Sequence, residues 1–323
     1  MNQHDYLTVV QSPDCNKKIH LTDERNLVKL PGKPITTARA RTVPVSSLAE
    51  FRNLLLKVQE RDDCCLILGY VPGTEDGRKF SILSQARMRR VLELKDDEAI
   101  PAEPVEGKNG SLLVTRTRKI FQFSSIGLFD YDRVKGMPEA LEFDAPLDWL
   151  HAMEPVVPGF ATAGRLLVPS TSSRVLLNGQ AAFSGGGWHC YVQFGDATDL
   201  NRFGPELMVH TMSTEYGFMR PIFCQTSNEV IGHRPWGPYD PTTFSPERLV
   251  FDGAPKLHHA DLGLAPCDVT AIEGERLDTS LLVVEEAQFE TVRQQTGYWA
   301  KRQSSGLLQL TNDTDLKLDT RVI

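Results

Sequence analysis

The clearest periodicity in the chain runs from residue 47 to residue 58, where Leu48, Phe51, Leu54, Leu55 and Val58 recur at helical spacing behind a Ser47/Glu50 capping box. A helix is predicted there. The apolar run 64–69 that follows has strand length, and Pro72-Gly73 and Asp76-Gly77 mark turns after it. Further helices are predicted over 87–94, 136–150 with a break at Pro146, 205–216 and 285–299, and strands over 111–115, 121–129, 165–169, 188–194, 221–225 and 248–251. The predicted helix at 205–216 starts with Pro205 in its first turn. Residues 1–44 are polar, contain Pro31, Pro34 and Pro44, and hold no sustained period, so they read as an N-terminal arm or loosely packed lead-in. Residues 45–270 form the main body, and 271–323 a C-terminal helical segment with a polar tail, expected to lead toward a further downstream domain. Strands alternate with helices without a regular βαβ repeat. The predicted class is therefore α+β with mixed sheets.

Composition changes this picture little. The chain has 323 residues, 41% apolar and 24% charged, with a net charge of −7, which argues against a surface coated all over in nucleic acid. Local clusters of positive charge (Arg78, Lys79, Arg87, Arg89, Arg90; Arg116, Arg118, Lys119) leave room for a basic groove on an acidic body, or for solvated faces of mixed charge. No apolar run approaches the ~18 residues of a membrane span, and residues 1–5 lack the regions of a signal peptide, so a cytoplasmic protein without membrane association is expected. Six cysteines without Cys-x-x-Cys or paired Cys/His spacing give no reason to expect zinc.

Candidate chemistry begins at Ile126-Gly-Leu-Phe-Asp-Tyr-Asp132. Asp130 and Asp132 at i and i+2 of a strand share a face, and two adjacent carboxylates stay ionised only with a cation or strong donors between them. Mg²⁺ suits such a pair, because it accepts one or two carboxylates and leaves positions for water and phosphate. A solvated strand end is the alternative. In Ser184-Gly-Gly-Gly-Trp-His189, successive glycines would let backbone N–H groups converge on an anion, with His189 at the edge of a strand. The alternatives are an ordinary turn and an ordinary histidine.

The order and spacing of these stretches resemble the archaeo-eukaryotic primase superfamily, in particular the primase-polymerases of phages and plasmids. An apolar strand ends in Asp-x-Asp; some 55 residues on comes Ser-Gly-Gly-x-x-His, and about 50 further an Asp before Phe-Ser-Pro-Glu-Arg-Leu-Val-Phe. The resemblance covers about 115–257 and implies two facing mixed sheets, one half RRM-like, flanked by helices around a catalytic cleft. It implies Asp130, Asp132 and Asp240 as catalytic ligands of two Mg²⁺ or Mn²⁺ ions, without zinc. Ser184, Gly185, Gly186 and His189 would bind the nucleotide, with Arg248 a candidate for charge stabilisation or an ion-pair partner. Arg116, Arg118 and Lys119 are candidates for a single-stranded DNA template; Trp236 and Tyr239 could stack on a base or pack in a core. Nucleoside triphosphates would be substrates, and a helicase domain would follow in the full-length protein. Pro238 and Pro241 interrupt the expected third strand, so Asp252 in Phe-Asp-Gly is a rival to Asp240. Two other readings stay open. Phe-Asp-Tyr-Asp resembles the nucleophile loop of haloacid-dehalogenase-type phosphatases, with Asp130 phosphorylated, and a non-catalytic, DNA-binding replication initiator could keep the same fold.

Overall fold

The computed structural model describes residues 5–13, 15–108, 110–183, 186–224, 226–296, 298–302 and 308–312. It is a mixed α+β protein with several small sheets and five α-helices among the described residues. The chain divides into two compact units: Met1–Asp130 with Thr162–Ala197 and Thr242–Leu277, and Tyr131–Ala161 with Thr198–Pro241 and Asp278–Ile323. No helix among the described residues is long and apolar enough to cross a membrane.

The helix foreseen from Ser47 onward is Leu48–Gln59. The Ser47 hydroxyl accepts from Glu50 N at 3.2 Å, while the Glu50 carboxylate reaches past the cap to Ser46 N at 2.8 Å. One of the N–H groups orphaned at the helix start, that of Glu50, is thus satisfied, and the Glu50 carboxylate fixes the chain just before the cap. Phe51, Leu55 and Val58 form its buried stripe.

Within the first unit a seven-stranded mixed sheet runs in the order Leu249–Val250, Cys64–Ile67, Tyr6–Gln11, Thr37–Pro44, Lys79–Leu83, Leu112–Thr115, Val105–Glu106. Lys79–Leu83 and Leu112–Thr115 pair in parallel, and the other ladders are antiparallel. The expectation of a loosely packed lead-in over 1–44 is corrected here. Tyr6–Gln11 and Thr37–Pro44 are interior strands of this sheet, with Leu7 and Val10 fully buried. Thr37–Pro44 does alternate strictly at first, burying Ala38, Ala40 and Thr42 while exposing Arg39 and Arg41. Its buried positions are too small and too polar to register as a hydrophobic period.

A second sheet in the same unit is ordered Ile126–Tyr131, Trp188–Gln193, Arg165–Pro169, Thr270–Ile272. One hydrophobic cluster joins Phe51, Leu55 and Val58 of the helix to Leu7 and Leu66 of the first sheet and to Ile126, Leu128, Leu166, Val168 and Tyr191 of the second. Gly127 is required on the opposite face, because a Cβ there would lie 2.2 Å from the ring of buried Phe194.

In the second unit the helix expected to begin at Pro205 starts earlier, as Leu200–Met212, with Pro205 inside it. The missing Pro205 N–H removes one i to i−4 hydrogen bond from the helix. Arg202 offsets this by binding Asp199 and Glu206 as well as the carbonyls of Thr279 and Leu282. A two-stranded ribbon, Phe218–Phe223 with Val230–Trp236, completes the elements that matter below.

Candidate functional site

Period-2 alternation decides which side chains meet in the first unit. Ile126 and Leu128 enter the shared cluster, so Asp130 follows them on the same face of its strand. In the neighbouring strand Trp188–Gln193, His189 and Tyr191 share one face, and Tyr191 meets Phe51 edge-on with centroids 4.7 Å apart. Asp252, two residues beyond the Leu249–Val250 strand, is fully buried. The chain reaches that position only through Gly253, where a Cβ would lie 2.1 Å from the Cys64 carbonyl oxygen.

These residues form one connected set. His189 Nδ1 lies 2.7 Å from Asp252 Oδ1, the Tyr191 hydroxyl donates to Asp252 Oδ2, and His189 Nε2 stands 3.4 Å from Asp130 Oδ1. Burial pushes the Asp252 carboxyl up, but the charge and hydrogen bond of His189, the Tyr191 hydroxyl and Lys17 outweigh it and hold Asp252 below the ordinary carboxylate value. Burial, then the adjacent Asp252 charge, drives Tyr191 well above the ordinary phenol, so its hydroxyl remains a donor. An ionised Asp252 can only accept, which fixes the His189 Nδ1 proton toward it and directs Nε2 at Asp130. Aspartate, histidine and aspartate therefore stand in series, Asp252 hydrogen-bonded to His189 at the closed end and Asp130, its side chain 16% exposed, at ion-pair distance from Nε2 at the other.

Asp132 and Asp240 belong to the second unit, where both act electrostatically on Arg220. Tyr131 between the two strand-end aspartates turns to the other side: its hydroxyl donates to the Leu141 carbonyl and accepts from Phe143 N, and its ring lies 5.5 Å from that of Trp149. Carboxylate oxygens at a strand end are donors of the hard kind that Mg²⁺ and Mn²⁺ take, so the residue types fit such ions. Among the described residues no three His, Cys, Asp or Glu groups converge as a metal-holding cluster.

Ser184 and Gly185 lie outside the described residues. Gly186 answers to packing: a Cβ there would fall 2.9 Å from the Trp188 indole, so the backbone crosses the ring where no side chain fits. Arg248 donates to the Thr242 hydroxyl, and Arg116 to the Glu247 carbonyl at 3.2 Å. Arg118 lies 5.9 Å from the Phe123 ring centroid, and Lys119 is exposed. Tyr239 is core, its hydroxyl 3.2 Å from that of Thr211. Trp236 is also buried, beneath Arg220 and Arg234.

Sequence reasoning missed Tyr191, Arg220 and Arg234. Tyr191 had a usable signal, since it stands two residues after His189 in a predicted strand and so must share its face. The arginines had none, because their pairing depends on the register of the ribbon. Comparison with family models, with curated proteins and with solved structures finds no match.

Proposed function

We propose that the chain is the catalytic part of a template-dependent nucleotidyltransferase of the primase-polymerase kind, acting on nucleoside triphosphates and a single-stranded DNA template. The observation that carries the reading is the series Asp252–His189–Asp130, which ends on a strand whose next residue but one is Asp132. The primase resemblance would assign two Mg²⁺ or Mn²⁺ ions to Asp130, Asp132 and Asp240. Such ions, when bound, lower the pKa of an attacking 3′-hydroxyl and stabilise a leaving pyrophosphate. Asp240 is preferred to Asp252 as third carboxylate for two reasons. Both Asp252 oxygens are already engaged by His189 and Tyr191, and Asp240 shares the neighbourhood of Arg220 with Asp132. Asp252 is then a positioning residue: it holds the His189 ring, which orients Asp130 and offers its edge to nucleotide phosphate. The hydrophobic cluster shared by the two sheets supports the facing-sheet arrangement that the primase resemblance implies.

The test is incubation with single-stranded DNA, labelled nucleoside triphosphates and Mn²⁺ or Mg²⁺. Wild-type protein should yield labelled oligomers, and Asp130→Asn or Asp132→Asn should lower the yield roughly a hundredfold or more, the scale for removing one group that stabilises transition-state charge. Undiminished synthesis by either variant refutes the assignment. Phosphate release from a generic phosphomonoester without oligomers points to phosphatase chemistry at Asp130, and template binding with neither activity to an initiator.

A further inference from the structure

The ribbon of the second unit sets Arg220 directly opposite Arg234, a pairing of like charges that by itself destabilises a sheet. Both guanidinium groups lie over the indole of Trp236, at 4.3 and 4.5 Å from the ring centroid. Cation–π attraction holds them there and limits how far they can separate. The other face of the ribbon is occupied by the loop that follows Asp132. Lys135 sits 4.0 Å over the Phe223 ring and donates to Asn228 Oδ1 at 3.2 Å, and Gly136 packs so closely that a Cβ would meet the Pro221 ring at 2.6 Å. One loop thus couples the strand-end carboxylate to the ribbon, while the arginine pair occupies the ribbon's remaining face. Asp132 and Asp240 act on Arg220 from within the same unit, and Arg234 acts on it with the opposite sign.

We propose that Arg220 and Arg234 form a polyphosphate site, fastened on Trp236, that takes the triphosphate of the incoming nucleotide. The inference rests on the nucleotidyl-transfer reading for its ligand, and on the ribbon alone for its location. Guanidinium forks match phosphate oxygens in geometry, and one ligand accepting from both turns their mutual repulsion into convergence. The chemistry favours a triphosphate over the backbone of a nucleic acid strand. A phosphodiester brings a single negative charge to one spot and would face two carboxylates there. A triphosphate brings several charges within a few ångströms, and a divalent cation can join it to those carboxylates. Nothing in the primary structure marks these two arginines, which lie 14 residues apart and meet only through the antiparallel register.

Inorganic tripolyphosphate is the direct probe, titrated into the protein with and without Mg²⁺ and followed by tryptophan emission and calorimetry; dATP with a non-hydrolysable α–β bridge and a single-stranded oligonucleotide are titrated in parallel. Arg220→Gln and Arg234→Gln should each weaken tripolyphosphate and dATP-analogue binding at least tenfold, and Mg²⁺ should tighten wild-type binding. Arg220→Lys, which keeps the charge and loses the fork, should fall between wild type and Arg220→Gln. Oligonucleotide affinity should stay within about twofold in all three. Circular dichroism and unfolding midpoints establish that the variants are folded, and the lysine variant supplies the comparison if a glutamine variant is not. Unchanged tripolyphosphate affinity in the folded variants overturns the proposal, as does selective loss of oligonucleotide binding. Arginine-dependent tripolyphosphate binding by a protein that makes no oligomers would sink the polymerase reading while leaving this site standing.

Discussion

Replacing Asp252 tests the central geometry most sharply, because every contact it makes is buried. Asp252→Ala deletes the acceptor of both His189 Nδ1 and the Tyr191 hydroxyl, at a position with no exposure. Breaking a buried charged pair by removing one partner costs about 3–5 kcal/mol, and that is the expected loss of unfolding free energy. Asp252→Asn is nearly isosteric and can still accept from His189 through Oδ1 while its amide donates to the Tyr191 oxygen. It exchanges charge-assisted bonds for neutral ones, a loss of about 1–2 kcal/mol. Tyr191→Phe removes one donor to an ionised group, about 1.5–3 kcal/mol, and its combination with Asp252→Ala should cost less than the sum of the two. The pH dependence has a defined sign. Asp252 is held below its ordinary value of 3.8, so its contribution is fully present above about pH 4 and disappears as pH falls through the folded-state value. The gap between wild type and Asp252→Asn should therefore be widest near neutrality and close in acid. Urea unfolding followed by tryptophan emission from pH 7 to pH 2 measures it. A loss below 1 kcal/mol for Asp252→Ala, or an asparagine gap that is constant across that range, refutes the buried series.

Two further outcomes follow from local geometry. Gly253→Ala should cost about 3 kcal/mol, the upper end for overpacking, because its Cβ would press on the Cys64 and Arg61 carbonyl oxygens at 2.1 and 2.7 Å, and backbone cannot swing aside. Gly195→Ala, whose Cβ would meet its nearest neighbour at 3.6 Å, should stay within about 1 kcal/mol; equal unfolding midpoints for the two would contradict the argument. Among the cysteines, Cys224 at the ribbon turn should alkylate first: hydrogen bonds from Ser227 and Thr226 bring its thiol down to about 6, while burial pushes Cys64 and Cys190 up to about 12. Peptide mapping after iodoacetamide at a series of pH values checks this, and a midpoint at or above that of a free thiol would count against it.

The sequence by itself determined the parts of this protein whose signal is local. The Leu48–Gln59 helix is written in its cap and its apolar stripe, and the Arg165–Pro169 and Trp188–Gln193 strands in runs of large apolar residues. The apolar run before it also placed Asp130 at the end of a strand. Tertiary structure decided what depends on register and on distant chain. Thr37–Pro44 is central in its sheet although its buried face is Ala38, Ala40 and Thr42, residues buried because neighbouring strands cover them. Asp252 could be weighed as a metal ligand from its position after an apolar run. Only the packing of the Leu249–Val250 strand beside Cys64–Ile67, with Gly253 pressed on the Cys64 carbonyl, delivers its carboxylate to His189 and Tyr191. Charge and hydrogen-bond partners act over a few ångströms of space, whereas sequence patterns report neighbours along the chain, and His189 and Asp252 are 63 residues apart.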